Sequence, residues 1–131
     1  MARILLIDDD EDVMTQYLAA LAGSGHELTA VRSAAQAREA LKKSAPDVAV
    51  VDIMMDNGIP GFDLAREIHA QAPGTPILMV SSLNSELKDP MDTKTDENLP
   101  IFKFLDKPVK GKALLEEIGR ALASRRPTKK A

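Results

Sequence analysis

The chain has 131 residues, 44% of them hydrophobic and 28% charged, which suits one soluble globular domain with a well-sized core. The formal net charge of −3 gives no electrostatic reason to expect nucleic acid as the main partner. There are no cysteines, which excludes disulfides, thiol nucleophiles and thiolate metal sites. No apolar run approaches the roughly 18 residues that a membrane span needs, and no signal-peptide pattern precedes Ile4. The expectation is a cytoplasmic protein without a membrane partner.

Short apolar runs alternate with helix-period stretches along the chain. Ile4-Leu5-Leu6-Ile7 stops at Asp8-Asp9-Asp10 and reads as a buried strand. Met14, Leu18 and Leu21 follow at helical spacing, with Gly23 and Gly25 as stop signals. Leu28 to Val31 forms a second strand. Ser33 and Gln36 then have capping-box spacing ahead of Ala37, Ala40 and Leu41. Val48-Ala49-Val50-Val51 is the next buried run and stops at Asp52. Phe62, Leu64, Ala65 and Ile68 mark a helix that closes near Pro73-Gly74. Ile77 to Val80 is a fourth strand ending at Ser81-Ser82, and Ile101 to Leu105 a fifth ending near Lys107-Pro108. Leu114, Leu115, Ile118 and Leu122 form the apolar face of a last helix.

Near-continuous apolar strands that alternate with helices predict an α/β fold, a doubly wound parallel sheet with helices on both faces. The domain is expected over residues 1–124, with 125–131 as a basic tail that carries Arg125, Arg126, Lys129 and Lys130. Between Ser81 and Lys107 the pattern weakens. Pro90 costs about 3 kcal/mol in a helix interior, and residues 92–98 contain no apolar anchor. A fourth helix is therefore expected to be reduced or replaced by a loop.

A parallel sheet puts all its strand ends on one edge, and ligands bind beyond the carboxyl ends. Asp8, Asp9, Asp52, Ser81 and Lys107 should meet there. Three carboxylates in one pocket repel one another, and a hard cation removes the conflict. Mg²⁺ commonly takes one or two carboxylates plus phosphate oxygens. A carboxylate is also a competent nucleophile toward phosphorus. The metal, an ammonium and a hydroxyl can then share the charge on the transferring phosphoryl oxygens. Taken singly, each motif has a bland reading: an acidic run after a strand caps a helix, Ser-Ser is a turn, and Lys-Pro is a loop. Their joint occurrence at successive strand ends favours the chemical reading.

These residues resemble the receiver domains of two-component response regulators, of the stand-alone, chemotaxis-regulator kind. The resemblance rests on Arg3 through Asp10, Pro46 through Met55, Pro76 through Ser81 and Phe104 through Pro108. It implies a flavodoxin-like five-stranded sheet in the order 2-1-3-4-5. It implies that Asp52 accepts a phosphoryl group from a sensor histidine kinase or phosphotransfer protein in a Mg²⁺-dependent reaction. By the same resemblance, Asp9 binds the metal directly, Asp8 mainly through water, and the Met54 backbone carbonyl adds a ligand. Ser81 and Lys107 would bind the phosphoryl group, Phe104 would change rotamer with its presence, and the Lys107-Pro108 bond would be cis. The protein would be a switch read by a downstream partner, not an enzyme turning over a free substrate. Two departures stand out: the loop of residues 56–60 is one residue longer than usual, and the segment 82–106 is longer by several.

Two other readings compete. A haloacid-dehalogenase-like phosphatase also uses an aspartate nucleophile, but Asp12 stands where its motif needs Thr or Val, and there is no room for a cap domain. A phosphorylation-independent binding module should lack the acceptor or the acidic pair, and both are present.

Overall fold

The computed structural model describes residues 2–53, 60–81, 101–106 and 109–124. Five strands and four helices alternate: β1 (Arg3–Ile7), α1 (Glu11–Leu21), β2 (Glu27–Val31), α2 (Ala34–Lys43), β3 (Val48–Asp52), α3 (Pro60–Gln71), β4 (Ile77–Ser81), β5 (Ile101–Asp106) and α4 (Gly111–Ser124). All strand pairs are parallel, in the order β2-β1-β3-β4-β5. The flavodoxin-like topology expected from the sequence is thus the one observed. The expected reduced fourth helix lies outside the described residues, as does the basic tail 125–131.

Strand side chains alternate between the two faces of a sheet. Leu5, Ile7, Val51 and Met79 pack on one face with Ala37 and Leu41 of α2 and Leu64 and Ile68 of α3. Ile4, Leu6, Val50, Leu78 and Val80 pack on the other with Met14, Tyr17 and Leu21 of α1 and Leu114 and Ile118 of α4. The three central strands are buried on both faces, which is why they read as unbroken apolar runs. The two edge strands are not. In β5, Phe102 and Phe104 are exposed.

Local sequence explains the helix starts. Asp10 caps α1, its Oδ1 accepting from the Asp12 and Val13 N–H groups at 2.9 and 3.2 Å. Ser33 caps α2 by accepting from the Gln36 N–H at 3.1 Å. The return arm of the expected box differs, since Gln36 Oε1 accepts from the Arg32 N–H instead of that of Ser33. Pro60, assigned from sequence to the preceding loop, is the first residue of α3. Proline suits that position because its missing N–H would be unsatisfied there in any case. At Gly111 the fold needs a residue without Cβ, since an added methyl would overlap Ala20 Cβ of α1.

The buried face of α4 is Leu114, Glu117, Ile118 and Ala121, with Leu115 and Leu122 only partly covered. Glu117 enters this face because β5 brings it a partner. A register shift between Ile77 and Leu78 pairs Leu78 with Lys103 and Val80 with Leu105. Lys103 thereby joins the α1–α4 side, where its ammonium donates to Glu117 Oε2 at 2.9 Å. Arg120 donates to the same oxygen at 2.9 Å.

The hydrogen bond from Lys103 above all, with the charges of Lys103 and Arg120, outweighs burial and lowers the Glu117 pKa. A carboxyl lowered on folding adds stability above its unfolded pKa of about 4.3, and that stability disappears as pH falls through the folded value. Both cations are half-exposed or more, so the contribution is modest, about 1 kcal/mol. Glu117→Gln is expected to lower stability by that amount at pH 7 and to leave it nearly unchanged at pH 3. Urea denaturation at the two pH values checks this; an equal loss at both would show that packing, not charge, holds Glu117.

Candidate functional site

The pairing of Ile7 with Val51 sets Asp8 and Asp52 level with each other at the carboxyl ends of β1 and β3. Strand alternation carries Ile4 and Leu6 on to Asp8, and Val48 and Val50 on to Asp52. Both carboxylates therefore belong to the α1–α4 side of the sheet. The backbone around them remains in the ladder: the Asp8 N–H donates to Val31 O at 3.2 Å, Asp52 pairs with Val80, and the next residue's N–H, that of Ile53, donates to Val80 O at 2.9 Å. The two side chains are nearly sealed, with Asp8 1% and Asp52 3% exposed. Asp9 is exposed. One carboxylate oxygen from each of Asp8, Asp9 and Asp52 lies within 4.8 Å of the others.

The run Asp8-Asp9-Asp10 thus divides into three jobs. Asp10 is committed to capping α1. Asp8 Oδ1 accepts from the Asp10 N–H at 2.9 Å, which ties the turn into α1 to the buried carboxylate. Asp9 faces solvent at the mouth. Burying two like charges beside a third is costly unless a cation balances them. An all-oxygen donor set open on one side suits Mg²⁺, which retains several waters and takes few protein ligands. The donor chemistry therefore fits the metal that the sequence implied.

The other expected residues distribute as follows. Ser81 is the last residue of β4 and pairs with Asp106 of β5, which brings it to the same sheet edge. Phe104, on the edge strand, pairs with Met79, which packs on the α2–α3 face of the sheet, and is 42% exposed. Met54, Lys107 and Pro108 lie outside the described residues.

One residue near the site has no place in the sequence reading. Tyr17, in the second turn of α1, is 2% exposed, and among the described residues its hydroxyl has no hydrogen-bond partner. Burial first, then the negative charges of Asp8, Asp52 and Asp10, push its pKa upward, so the phenol keeps its proton. Its signal was present in the spacing Met14, Tyr17, Leu21, but that spacing marks a core stripe and says nothing of what the hydroxyl faces.

A doubly wound five-stranded sheet with a buried acidic pocket at its carboxyl edge defines a receiver-type signalling domain. Comparison with known proteins agrees: the profile of the response regulator receiver domain matches residues 4–119, and the chain belongs to that family. Protein PilH of Pseudomonas aeruginosa is 29% identical over 125 residues, covering 94% of this chain and 99% of PilH. The transcriptional regulatory protein GlrR of Escherichia coli is 29% identical over 126 residues, 96% of this chain. This chain spans only 27% of the length of GlrR. Among solved structures, the chemotaxis response regulator CheY4 of Vibrio cholerae superposes with a TM-score of 0.79 at 25% identity, covering 93% of this chain and 99% of CheY4. A CheY-like receiver from Methanospirillum hungatei, 24% identical and covering 94% of each chain, shares the fold with a TM-score of 0.81. Receiver domains generally accept phosphoryl groups from histidine kinases and bind Mg²⁺ through an acidic pocket. Among the described residues, no helix is long and apolar enough to cross a membrane.

Proposed function

We propose that Asp52 is the phosphoacceptor of this receiver domain and that Asp8 and Asp9 hold Mg²⁺ beside it. The observation that carries the reading is the approach of the three carboxylates to within 4.8 Å at the strand ends. Asp52 is the member that closes β3 at the centre of the sheet, flanked by β1 and β4. A carboxylate oxygen of Asp52 attacks the phosphorus of a phosphohistidine. A P–O bond forms, the P–N bond breaks, and the electron pair leaves with the imidazole nitrogen. The metal supplies charge neutralisation for the phosphoryl oxygens when bound. Asp9, at the open mouth, contributes the direct carboxylate ligand, while Asp8 is braced by the Asp10 N–H. In the family pattern the Met54 carbonyl completes the protein ligands, Ser81 and Lys107 take phosphoryl oxygens, and Phe104 responds at the edge strand.

The product biases a two-state surface that a downstream protein reads. The chain assists its own phosphorylation and loses the group slowly, and it does not turn over free phosphomonoesters. A sensor histidine kinase or phosphotransfer protein is the donor, and the chain meets it in the cytoplasm. The test is incubation with Mg²⁺ and a small phosphodonor, followed by intact-mass measurement. One added phosphoryl group, labile in base and absent when Mg²⁺ is chelated, is the expected result. No mass change, or steady hydrolysis of a generic phosphomonoester, would overturn the reading.

A further inference from the structure

The acidic pocket has a polar group beneath it that its proposed chemistry does not use. Tyr17 packs on α1 within the layer formed by Leu6, Val50 and Val80, the strand residues just below Asp8, Asp52 and Ser81. Helix α1 starts at the pocket, where Asp10 caps it, and runs away from it. Tyr17 lies seven residues along, a rise of roughly 10 Å. Helical side chains lean toward the N-terminus, so the long phenol is carried back toward the pocket. The carboxylates that act on its hydroxyl are Asp8, Asp52 and Asp10, all of them at this edge.

Buried tyrosine hydroxyls ordinarily find a partner, because an unsatisfied one forfeits its hydration for nothing. Phenylalanine would fill the same space without that loss. A buried hydroxyl in this layer is a donor in need of an acceptor, and the acceptors of the pocket end the strands above it.

We infer that the Tyr17 hydroxyl is a positioning residue of the acidic pocket, a buried donor that holds the Asp8 carboxylate through one buried water in the orientation that binds the cation. The inference rests on the reading of Asp8 and Asp9 as metal ligands. Donors behind a ligating carboxylate fix its orientation, and their loss typically weakens metal binding by 10- to 100-fold, roughly. A single buried water needs two or more polar partners, which the hydroxyl and the carboxylate provide.

The chain contains one tyrosine and no tryptophan, so its tyrosine absorbance and emission report on Tyr17 alone. Mg²⁺ titrated into the wild-type protein is expected to shift the phenol absorption band and change its emission, with one saturation curve matching calorimetry. Tyr17→Phe, which keeps the ring, is expected to raise the Mg²⁺ dissociation constant severalfold, by no more than loss of the Asp8 carboxylate itself would, while the metal-free protein melts at the same temperature or higher. A purely structural tyrosine would give the opposite pattern, with lower melting and unchanged affinity. Unchanged affinity in the variant, or a silent tyrosine signal in a wild-type protein that calorimetry shows to bind Mg²⁺, would overturn the role of Tyr17 and leave the phosphoacceptor reading intact. Wild-type protein that binds no Mg²⁺ by calorimetry would overturn both.

Discussion

Replacing Asp52 by alanine is expected to abolish phosphoryl labelling, not merely to slow it. The reason is geometric. Asp8 and Asp9 are the other carboxylates of the trio, but in the proposed reading they hold the cation, and they leave β1, one strand away. Asp10 and Asp12, farther along, belong to the start of α1, where Asp10 is engaged with two backbone N–H groups. Among the described residues, removing the proposed nucleophile leaves no carboxylate that is both central in the sheet and beside the proposed metal ligands. Mutations that delete a group acting in covalent catalysis commonly cost several orders of magnitude. Intact-mass measurement after incubation with Mg²⁺ and a small phosphodonor is the assay, with circular dichroism to show that the variant is folded. Labelling of Asp52→Ala at the wild-type rate would require another acceptor and refute the assignment.

The second large effect concerns the acidic pair, whose two members should fail in different ways. Asp9 is exposed, and its substitution by alanine should move folding stability by no more than about 0.5 kcal/mol. Its loss removes the carboxylate at the open mouth of the pocket, where a cation retains its waters. Mg²⁺ affinity is expected to fall by roughly tenfold or more. Asp8 is 1% exposed and accepts from the Asp10 N–H at 2.9 Å, so Asp8→Ala also withdraws the brace at the entry to α1. Leaving that part-buried donor without its acceptor costs about 1 kcal/mol, the low end of the range for a fully buried one. With Mg²⁺ present, so that the cation balances the carboxylates, the expected outcome is a clear loss of stability with a smaller loss of metal affinity. Calorimetric Mg²⁺ titration and urea denaturation of both variants separate the two quantities. The reverse order of affinities would exchange the roles.

Much of this was legible residue by residue. The runs Ile4–Ile7, Val48–Val51 and Ile77–Val80 are apolar because those strands lie between two helical layers, and continuous burial leaves no alternation to confuse the reading. Their order along the chain, joined by helical stretches, restricts the topology almost to the one observed. The caps at Asp10 and Ser33 were likewise readable, since capping is a contact between residues two or three apart.

Other features depend on partners distant in sequence. The apolar face expected for α4 was Leu115 and Leu122 with Leu114 and Ile118, yet Glu117 is buried in place of full cover for Leu115. That exchange needs Lys103, and Lys103 faces α4 only because β5 shifts register against β4 between Ile77 and Leu78. A one-residue shift reverses which side chains face which layer, and no local pattern announces it. The same shift sets the exposed Phe104 opposite Met79.

The sequence by itself determined the strand runs, their parallel order and the set of acidic residues at their ends, because hydrophobic periodicity and turn chemistry act between near neighbours. Only the tertiary structure decided how Asp8, Asp9 and Asp10 divide into a braced buried carboxylate, an open one and a helix cap, and that a tyrosine is buried in the core layer on the same side of the sheet. Those outcomes follow from strand register and from the packing of α1 on the sheet, which bring together groups about ten to more than forty residues apart, and such distances are invisible to any window along the chain.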